Sequence, residues 1–534
     1  MDILSDSTNC RPRPRTTIDN LPNEIIHQIC LYLDCESIKN FSITCPRFFN
    51  IVANSSAITK KFKLKLTSEF WKSEDEVMGL ERKYNTIEMV DVSVDCHNVV
   101  SKVFEKFGPH LRKLSIHRST VDDFTLLTIL RLSWFLEELV ISEVAIELKL
   151  PKINPISIVH LRSISIHKTN WLIFKFLSRS QITSLLVNNS SDEGKGTRCH
   201  LVSMLYNQYR LQELTLLGTS SSTLFRYSDF IGSWNNRLIK CHITSETSNK
   251  TLTDKNIGEF LCSNNESLTN VHISIAYCTP IIESIIFNLH NVTSLVLDVG
   301  AFQDDNSLFQ KVLDSKPNFR LKHLKLCGLF VQPELIKAIL TKFPSIENLE
   351  LDDWSNTPSK NILKFVVEKC PYLQQLFIPA ISRIDCELKF SALKQLHIVY
   401  IQMNGMKDLV RFIEQNSSLD TLKIGLVHIG QVKSICKLMD RTNLQHLSFA
   451  GNRKNLEIII DFIRHNTPKQ LKTLELSLRS LGVRMSFSKT LHRSMQINFP
   501  LNPLAPSDLR RKLDAFFNYS KLSKIPYSSV GLFS

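Results

Sequence analysis

The histidines and cysteines are the residues of this chain best suited to chemistry, and their spacing argues against a catalytic centre. The 16 histidines are dispersed over 534 residues, and no phosphate-binding glycine loop, nucleophilic serine elbow or HExxH zinc motif occurs. The 13 cysteines are scattered and form no CxxC pair, which is typical of a reducing compartment. We therefore expect a cytoplasmic and/or nuclear, non-catalytic protein with no metal and no cofactor.

One pair of histidines is arranged regularly. His242 and His272 occupy the same position in two successive sequence repeats, so stacked repeats would place them ~5 Å apart. Two ligands do not complete a zinc site, and no third ligand is evident in the sequence. Two interpretations remain: a metal-binding or pH-sensitive pair, or two solvated side chains on a binding face.

A second candidate group combines an aromatic ring with carboxylates. Phe377 occupies a polar slot of a predicted strand, Glu350 and Asp352 lie one repeat earlier, and His397 lies one repeat later. Aromatic anchors tend to dominate binding energy at interfaces, so we expect a substrate site for a segment with an apolar residue next to Lys or Arg. The alternative occupants are the chain's own basic segment 510–517 and a loop from a long repeat.

A recurring hexad positions these residues. It consists of an apolar residue, two polar ones, an apolar one, a polar one and an apolar one, as in Leu321–Leu326, and it returns about every 26 residues. This alternation predicts a short strand with one buried face. The hexads begin at Tyr84, Leu111, Leu136, Leu161, Ile182, Leu211, Leu238, Leu268, Val292, Leu321, Ile346, Leu373, Leu393, Leu419, Leu444 and Leu471. Phe62–Leu66 alternates in the same way and predicts an earlier strand.

Helices are predicted between several of these strands. The segments concerned are Pro333–Phe343, Met406–Asn416, Gln431–Arg441 and Leu456–Asn466. One strand and one return helix cannot bury their own apolar side, whereas stacked copies can. The fold class expected is therefore α/β, a curved solenoid with a parallel inner sheet and outer helices.

This pattern resembles the helix-containing class of leucine-rich repeats. That family often places Asn or Cys three residues after the last apolar slot, to bind backbone between turns, and here only Asn452 does so. Hydroxyl side chains at the same position bind backbone more weakly, so we expect irregular turns. These hydroxyls belong to Ser119, Thr169, Ser190 and Thr219.

The N-terminal segment predicts three short helices. In the first, Leu21, Ile25, Ile29 and Leu33 recur every four residues and form an apolar side with Ile26 next to it. The second is predicted at Glu36–Ile43, and the third begins at Pro46. Three short helices cannot form a large core alone. They must therefore pack on the repeats, on a partner, or on both.

These residues resemble an F-box. The resemblance covers Leu21-Pro22-x-Glu24 and the apolar series after it, then Thr44-Cys45-Pro46-Arg47-Phe48, where Phe48 replaces the family's common Trp. F-boxes bind the Skp-type adaptor, which links them to a cullin–RING ubiquitin ligase core. The adaptor contacts implied by the resemblance are Leu21, Pro22, Ile25, Ile26, Ile29 and Leu33. The alternative is a helical cap that seals the first repeat.

The charge distribution limits the possible partners. The net charge is +14, yet the polar strand slots carry seven acidic and four basic residues, while residues 481–534 carry eight basic and two acidic ones. Phosphate binding needs a basic track, so this distribution argues against nucleic acid as the ligand of the groove. No apolar run reaches the 18 residues that a membrane span needs.

Together these patterns predict four segments. They are a disordered basic leader at 1–17, the F-box at 18–56, the leucine-rich repeat solenoid at 57–476 and a C-terminal cap or tail at 477–534. The resemblance implies a substrate receptor of a Skp–cullin–F-box ubiquitin ligase, with an unknown protein substrate on the repeats. The alternatives are a scaffold or regulator outside a ligase, and a nucleic-acid-associated protein that uses the basic tail.

Overall fold

The computed structural model divides the chain into two compact units, one of residues 1–153 with 158–161 and one of residues 154–157 with 162–534. It describes residues 18–498 apart from a set of gaps. The gaps are 70–78, 81–82, 94–96, 150–153, 190–199, 226–236, 246–249, 278, 302–305, 328–332, 352–359, 382–383, 402–404, 427–430, 432–433, 435–442, 452–469, 479–482 and 490–494. No helix within these described ranges is both long and apolar enough to cross a lipid bilayer.

The first unit begins with a small helical bundle. Its helices are α1 (Asn23–Tyr32), α2 (Cys35–Ser42), α3 (Pro46–Asn54) and the one-turn α4 (Ser56–Thr59). The three predicted helices are confirmed within one or two residues. The carboxylate of Asp34 caps α2 by accepting the Ser37 N–H at 2.7 Å, and Pro46 starts α3 with its missing N–H at a position that needs none.

The bundle has its own small core, and this core continues into the first strand. Its buried members are Ile26, Cys30, Ile38, Phe48, Val52, Ile58 and Phe62. Phe48 stacks on Phe41 with ring centroids 4.2 Å apart, so phenylalanine fills the aromatic position here. Phe62 directly precedes the first strand, and Tyr84 before the second strand packs against the same core. The helices are therefore joined to the first two strands without a linker.

The rest of the first unit alternates strands and helices. The strands β1 (Lys63–Thr67), β2 (Thr86–Val90), β3 (Lys113–His117) and β5 (Glu138–Ser142) are parallel neighbours in that order. A separate parallel pair joins β4 (Thr120–Asp122) to β6 (Ala145–Glu147). The helices are α5 (His97–Phe107) and α6 (Asp123–Leu132).

In the second unit, consecutive parallel strands pair in chain order. They are β7 (Ser163–His167), β8 (Ser184–Asn188), β9 (Glu213–Leu217), β10 (Lys240–Ser245), β11 (Asn270–Tyr277), β12 (Ser294–Ala301), β13 (His323–Cys327), β14 (Asn348–Leu351), β15 (Gln375–Ile381), β16 (Gln395–Ile401), β17 (Thr421–Leu426), β18 (His446–Gly451) and β19 (Thr473–Leu478). Two antiparallel strands, β20 (Val483–Lys489) and β21 (Met495–Asn498), follow and end the repeat pattern.

Helices connect the strands of the second unit. They are α7 (Ile173–Leu177), α8 (His200–Tyr206), α9 (Thr219–Leu224), α10 (Lys250–Ser263), α11 (Thr279–Asn288), α12 (Asn306–Asp314), α13 (Pro333–Lys342), α14 (Lys360–Lys369) and α15 (Gly405–Gln415). The helices predicted at 333–343 and 406–416 are confirmed, and those predicted at 431–441 and 456–466 lie almost entirely outside the described residues. The repeat is thus a strand and a return helix, as in a leucine-rich repeat solenoid.

Burial follows the hexad. In β13, Leu324 and Leu326 are each 2% exposed, while Lys325 between them faces the solvent side of the sheet. Every hexad predicted from the sequence contains or leads into a strand, and Phe62–Leu66 leads into β1. The apolar slots form the core with buried helix side chains such as Ile336 and Ile339. The polar slots form the open face of the sheet.

A positive φ recurs in the turns after β2, β3, β5, β7, β8 and β9, and the sequence did not reveal it. Asp91, Arg118 and Glu143 in the first unit, and Lys168, Asn189 and Gly218 in the second, have φ between 45° and 63°. Each lies two residues after the last apolar slot of its hexad. The Arg118 N–H donates to the Ser142 carbonyl at 2.9 Å, and the Lys168 N–H donates to the Asn188 carbonyl at 2.8 Å, so this conformation extends the hydrogen-bond ladder beyond the strand.

Hydroxyls support these turns at two of the expected positions. The Ser119 hydroxyl donates to the His117 carbonyl at 2.8 Å and accepts the Val92 N–H at 3.1 Å. The Thr169 hydroxyl donates to the His167 carbonyl at 2.9 Å. Ser190 and Asn452 lie outside the described residues.

Buried amides bind neighbouring repeats together, and they precede the strands instead of following them. Gln208 accepts the Ile182 N–H at 2.9 Å and donates to the Ser180 carbonyl at 2.8 Å. Asn416 likewise accepts the Phe390 N–H at 2.7 Å and donates to the Leu388 carbonyl at 3.0 Å. Both side chains satisfy main-chain groups of the preceding repeat, since a buried polar group needs a partner.

Candidate functional site

The first candidate surface is the apolar side of α1. Ile25 is 46% exposed, and Pro22 is also exposed, while Leu21, Ile29 and Leu33 are each partly exposed. Tyr32 at the end of α1 and Ile43 after α2 are also exposed, at 88% and 73% respectively. The bundle thus completes its own core and still leaves apolar side chains uncovered.

Ile26 differs from the other predicted adaptor contacts. Its side chain is fully buried in the core of the bundle, against the same cluster as Cys30 and Phe48. A buried side chain holds the helices together and offers no surface to a partner. The predicted adaptor contacts that a partner can reach are therefore Leu21, Pro22, Ile25, Ile29 and Leu33.

Two cations hold α1 at its ends. The guanidinium of Arg47 donates to the Leu21 carbonyl at 2.6 Å and to the Asn23 side chain at the start of the helix. The ammonium of Lys61 donates to the Leu31 and Leu33 carbonyls, at 2.6 and 2.8 Å, where the helix ends. A cation at the C-terminal carbonyls also complements the helix dipole. Residues distant in sequence therefore fix the angle at which α1 presents Ile25.

The second candidate surface lies on the open face of the second unit. One polar slot per strand forms a row in register, here called the central row, made of Val296, Lys325, Glu350, Phe377, His397 and Lys423. With the slot two residues before it, the row lines a groove of about 630 Å³. Glu350, Phe377 and His397, predicted from the sequence, thus lie side by side. Asp352 lies outside the described residues.

Phe377 and His397 form an aromatic pair in the middle of this groove. Their ring centroids are 4.5 Å apart and their planes are nearly perpendicular, at 88°. Both side chains are half-buried, so the ring of Phe377 is partly covered by its neighbour and partly open. Edge-to-face contact fixes the ring positions, which favours a preformed apolar anchor point.

Glu350 is engaged by its own sheet. The ammonium of Lys325 lies 2.5 Å from its carboxylate on the neighbouring strand, in direct register. The expected basic partner of Glu350 is thus Lys325 of the chain itself, in the same slot one repeat earlier. The signal was available, because the hexad alignment already placed the two side chains opposite each other.

His242 and His272 stack in the same row, nearer the start of the second unit. Their ring centroids are 3.7 Å apart with planes at 8°, as their shared slot predicted. The expectation of two solvated side chains is wrong, because both are half-buried and the His242 Nε2 is buried without a hydrogen-bond partner in the described structure. Burial, with His272 nearby, lowers the pKa of His242 to about 4.

The environment of His272 also keeps it neutral. Burial lowers its pKa, Asp298 opposes this shift and Lys325 adds to it. Within the described ranges, no three His, Cys, Asp or Glu side chains are grouped as metal ligands. The pair is therefore a neutral stacked contact between two repeats.

Comparison with known proteins identifies both parts of the chain. The F-box domain family model matches residues 18–59, and the model for the LRR repeats of an FBD-associated F-box protein matches residues 283–500. The chain thus carries an F-box domain and, further along, leucine-rich repeats.

No curated protein matches the chain. Among solved structures, the TLR13 chain of a TLR13–ssRNA13 complex aligns at 13% identity with a TM-score of 0.38. The alignment covers 74% of this chain, and the chain spans 60% of that TLR13 chain.

Proposed function

We propose that this protein is the substrate-recognition subunit of a Skp–cullin–F-box ubiquitin ligase, cytoplasmic and/or nuclear and itself non-catalytic. The observation that carries the proposal is the apolar side of α1. Ile25 remains 46% exposed after the bundle has completed its core, on a segment that matches the F-box model. Apolar side chains left uncovered by the chain itself are typical of a surface that a partner covers.

The attachment of the bundle supports the same function. A substrate receptor works by holding its substrate near the ubiquitin-charged enzyme, so its contribution is proximity. Because Phe62 and Tyr84 belong to the core of the bundle, the F-box is fixed to the first strands of its unit. The bundle is therefore joined to the repeats of its own unit without a flexible linker.

The proposed substrate site is the groove on the open face of the second unit. Phe377 and His397 form its apolar centre, and Glu350 lies beside them. Asp352 belongs to the proposed site by sequence. The width of the groove across several strands suits an extended segment of a protein better than a small molecule.

Replacing Ile25 with Asp tests adaptor binding. A charge in the centre of an apolar contact should weaken the complex with a purified Skp-type adaptor by at least about 30-fold, which is ~2 kcal/mol. Leu313→Asp is a matched control, since Leu313 is 49% exposed on α12, outside the F-box. Titration calorimetry measures both, with circular dichroism to verify folding. Equal adaptor affinity for the two variants would contradict the proposed surface.

Recovery of the cullin tests ligase membership separately. Tagged wild-type chain should co-purify adaptor and cullin together, and Ile25→Asp should lose both. If the chain recovers the adaptor but never the cullin, it functions outside a ligase. Substrates should accumulate in the Ile25→Asp cells to the level seen with the proteasome inhibited.

A further inference from the structure

We propose that the groove binds an extended acidic segment, in which an apolar side chain covers Phe377 and an Asp or Glu carboxylate three residues away pairs with Lys423. The inference rests on the proposed function only in taking the groove as the substrate site. It changes the charge of the expected ligand, because the sequence alone indicated a basic one.

The charges of the central row carry this inference. The carboxylate of Glu350 is neutralised by Lys325 at 2.5 Å, so a basic ligand would have to displace an existing ion pair. Lys423 is exposed and has no acidic ion-pair partner among the described residues. Its neighbours in register are His397 on one strand and Ser448 on the other. The unmatched charge of the described groove is thus positive and adjoins the aromatic pair.

Amide side chains next to the row suit the main chain of a bound segment. Gln375 and Gln395 are register partners on β15 and β16, two residues before Phe377 and His397 and on the same face. Neither side-chain amide has a hydrogen-bond partner within the described part of the chain. An amide both donates and accepts, which matches the N–H and C=O groups of an extended peptide.

The spacing sets the pattern of the ligand. Phe377 and Lys423 are separated by two strand spacings, about 9.6 Å. Three residues of an extended chain in the polyproline II conformation rise about 9.3 Å and complete one turn, so its side chains at i and i+3 lie on the same side. An apolar residue and an acidic residue at positions i and i+3, in either chain direction, therefore reach both groups.

Peptide selection tests the proposal directly. A displayed library of random nonapeptides is panned on the full chain, after counter-selection on the Phe377→Ala/Lys423→Glu double variant, which removes binders of other surfaces. We expect enrichment of an apolar residue three positions from Asp or Glu. A selected peptide and its twin with Lys in place of the acid are then measured by fluorescence anisotropy.

The charge-reversed variant separates recognition from folding. Lys423→Glu should weaken the acidic peptide by about 10-fold and improve the Lys twin, because like charges at an interface repel. Lys364→Glu, the same change at an exposed position on α14, should alter neither affinity. Phe377→Ala should weaken both peptides alike. The reciprocal gain of the Lys twin cannot arise from misfolding.

Three results would overturn the proposal. One is enrichment of basic peptides or of none, and another is equal affinity of Lys423→Glu and wild type for the acidic peptide. The third is peptide binding that is gained only on removal of residues 505–534, which would make the chain's own basic tail the occupant. The Ile25→Asp variant should bind the peptides as the wild type does. A failure of the peptide proposal can therefore be distinguished from a failure of the proposed adaptor binding.

Discussion

At the scale of single residues, the positive φ values in the turns after the strands could not be predicted from the residue types. L-residues other than glycine occupy this conformation at a cost of roughly 1–2 kcal/mol, yet Lys168 and Arg118 adopt it. They do so because their N–H groups are needed by the neighbouring repeat. Only Gly218 of this series is the residue that the backbone prefers.

Gly218→Ala should destabilise the protein by about 2 kcal/mol or more. An added methyl group would lie 1.7 Å from the Asn189 Oδ1, in addition to the positive φ of 63°. Lys168→Gly, at the same turn position two repeats earlier, should instead be neutral or stabilising by up to about 1 kcal/mol. Urea denaturation measures both. A stabilising effect of Gly218→Ala together with a destabilising effect of Lys168→Gly would contradict the turn assignment.

Asp122 should link stability to acid pH. It caps α6 by accepting the Thr125 N–H at 2.6 Å, and Lys149 lies 3.1 Å from its carboxylate. Burial raises its pKa, but these hydrogen bonds and the ammonium outweigh burial, so the net pKa is lowered. The stabilisation is therefore complete above the ordinary pKa of ~3.9 and is lost as the pH falls through the lower folded pKa.

The Asp122→Asn variant isolates this charge. Asn still caps a helix, so the variant should lose about 1 kcal/mol at pH 6. The difference from wild type should be smaller at pH 3, because the Asp122 carboxyl takes up protons as the pH falls towards its lowered pKa. Thermal melts at both pH values provide the measurement, and a constant difference across the range would refute the charged cap.

At the scale of elements, the strands were predictable and the bridges between repeats were not. Each hexad specifies its strand because period-2 alternation with one buried face has no other compact solution. The buried amides of Gln208 and Asn416 gave no comparable signal, because Asn and Gln outside strands are usually surface residues. Only the stacked repeats show that main-chain groups of the previous turn lie within their reach.

Gln208→Ala should cost about 2–3 kcal/mol. It leaves the Ile182 N–H and the Ser180 carbonyl buried without partners, at about 1–3 kcal/mol each before relaxation. Asn207→Ala is a control in the same turn, since Asn207 is exposed and its side chain bonds only the Ser203 carbonyl one helical turn away. If Asn207→Ala lowered the free energy of unfolding as much as Gln208→Ala does, the hydrogen bonds of Gln208 to the preceding repeat would add no specific stabilisation.

The candidate site shows the same division. Phe377 and His397 were predicted as neighbours because each occupies a known slot of its hexad. The pairing of Glu350 with Lys325 was equally predictable, because these two residues also occupy the same slot of successive hexads. The burial of His242 and His272 depends on the stacking of neighbouring repeats, which no local pattern encodes.

At the scale of the whole molecule, ion pairs one repeat apart recur on both units. Lys113–Glu138 and Arg112–Glu137 connect neighbouring strands in the first unit, and Lys322–Glu347 and Lys325–Glu350 do so in the second. Each exposed pair contributes at most about 1 kcal/mol. A slip of one residue between strands would break them all and move every apolar slot to the open face, so they support register.

Stability should vary along the second unit, because each repeat contacts mainly its neighbours. Ile378→Ala in β15 removes a fully buried side chain at a cost of about 2–4 kcal/mol. Amide hydrogen exchange should accelerate in β14–β16 and remain slow in β8 and β9. Gln395→Ala on the open face should leave exchange unchanged. Uniform acceleration throughout the unit would indicate one cooperative fold and contradict the repeat architecture.

Lys61 binds the carbonyl groups at the end of α1, and Phe62 is part of the core of the bundle. Both contacts have a consequence for protein engineering. A cut after Thr59, where the family match ends, would remove the cation from the end of α1 and one wall of the helical core. A graft of residues 18–59 onto a foreign receptor would therefore present Ile25 at an uncontrolled angle. A segment that keeps the whole helical core extends through Tyr84 to the end of β2 at Val90, so fusions built from this chain should carry its first two strands.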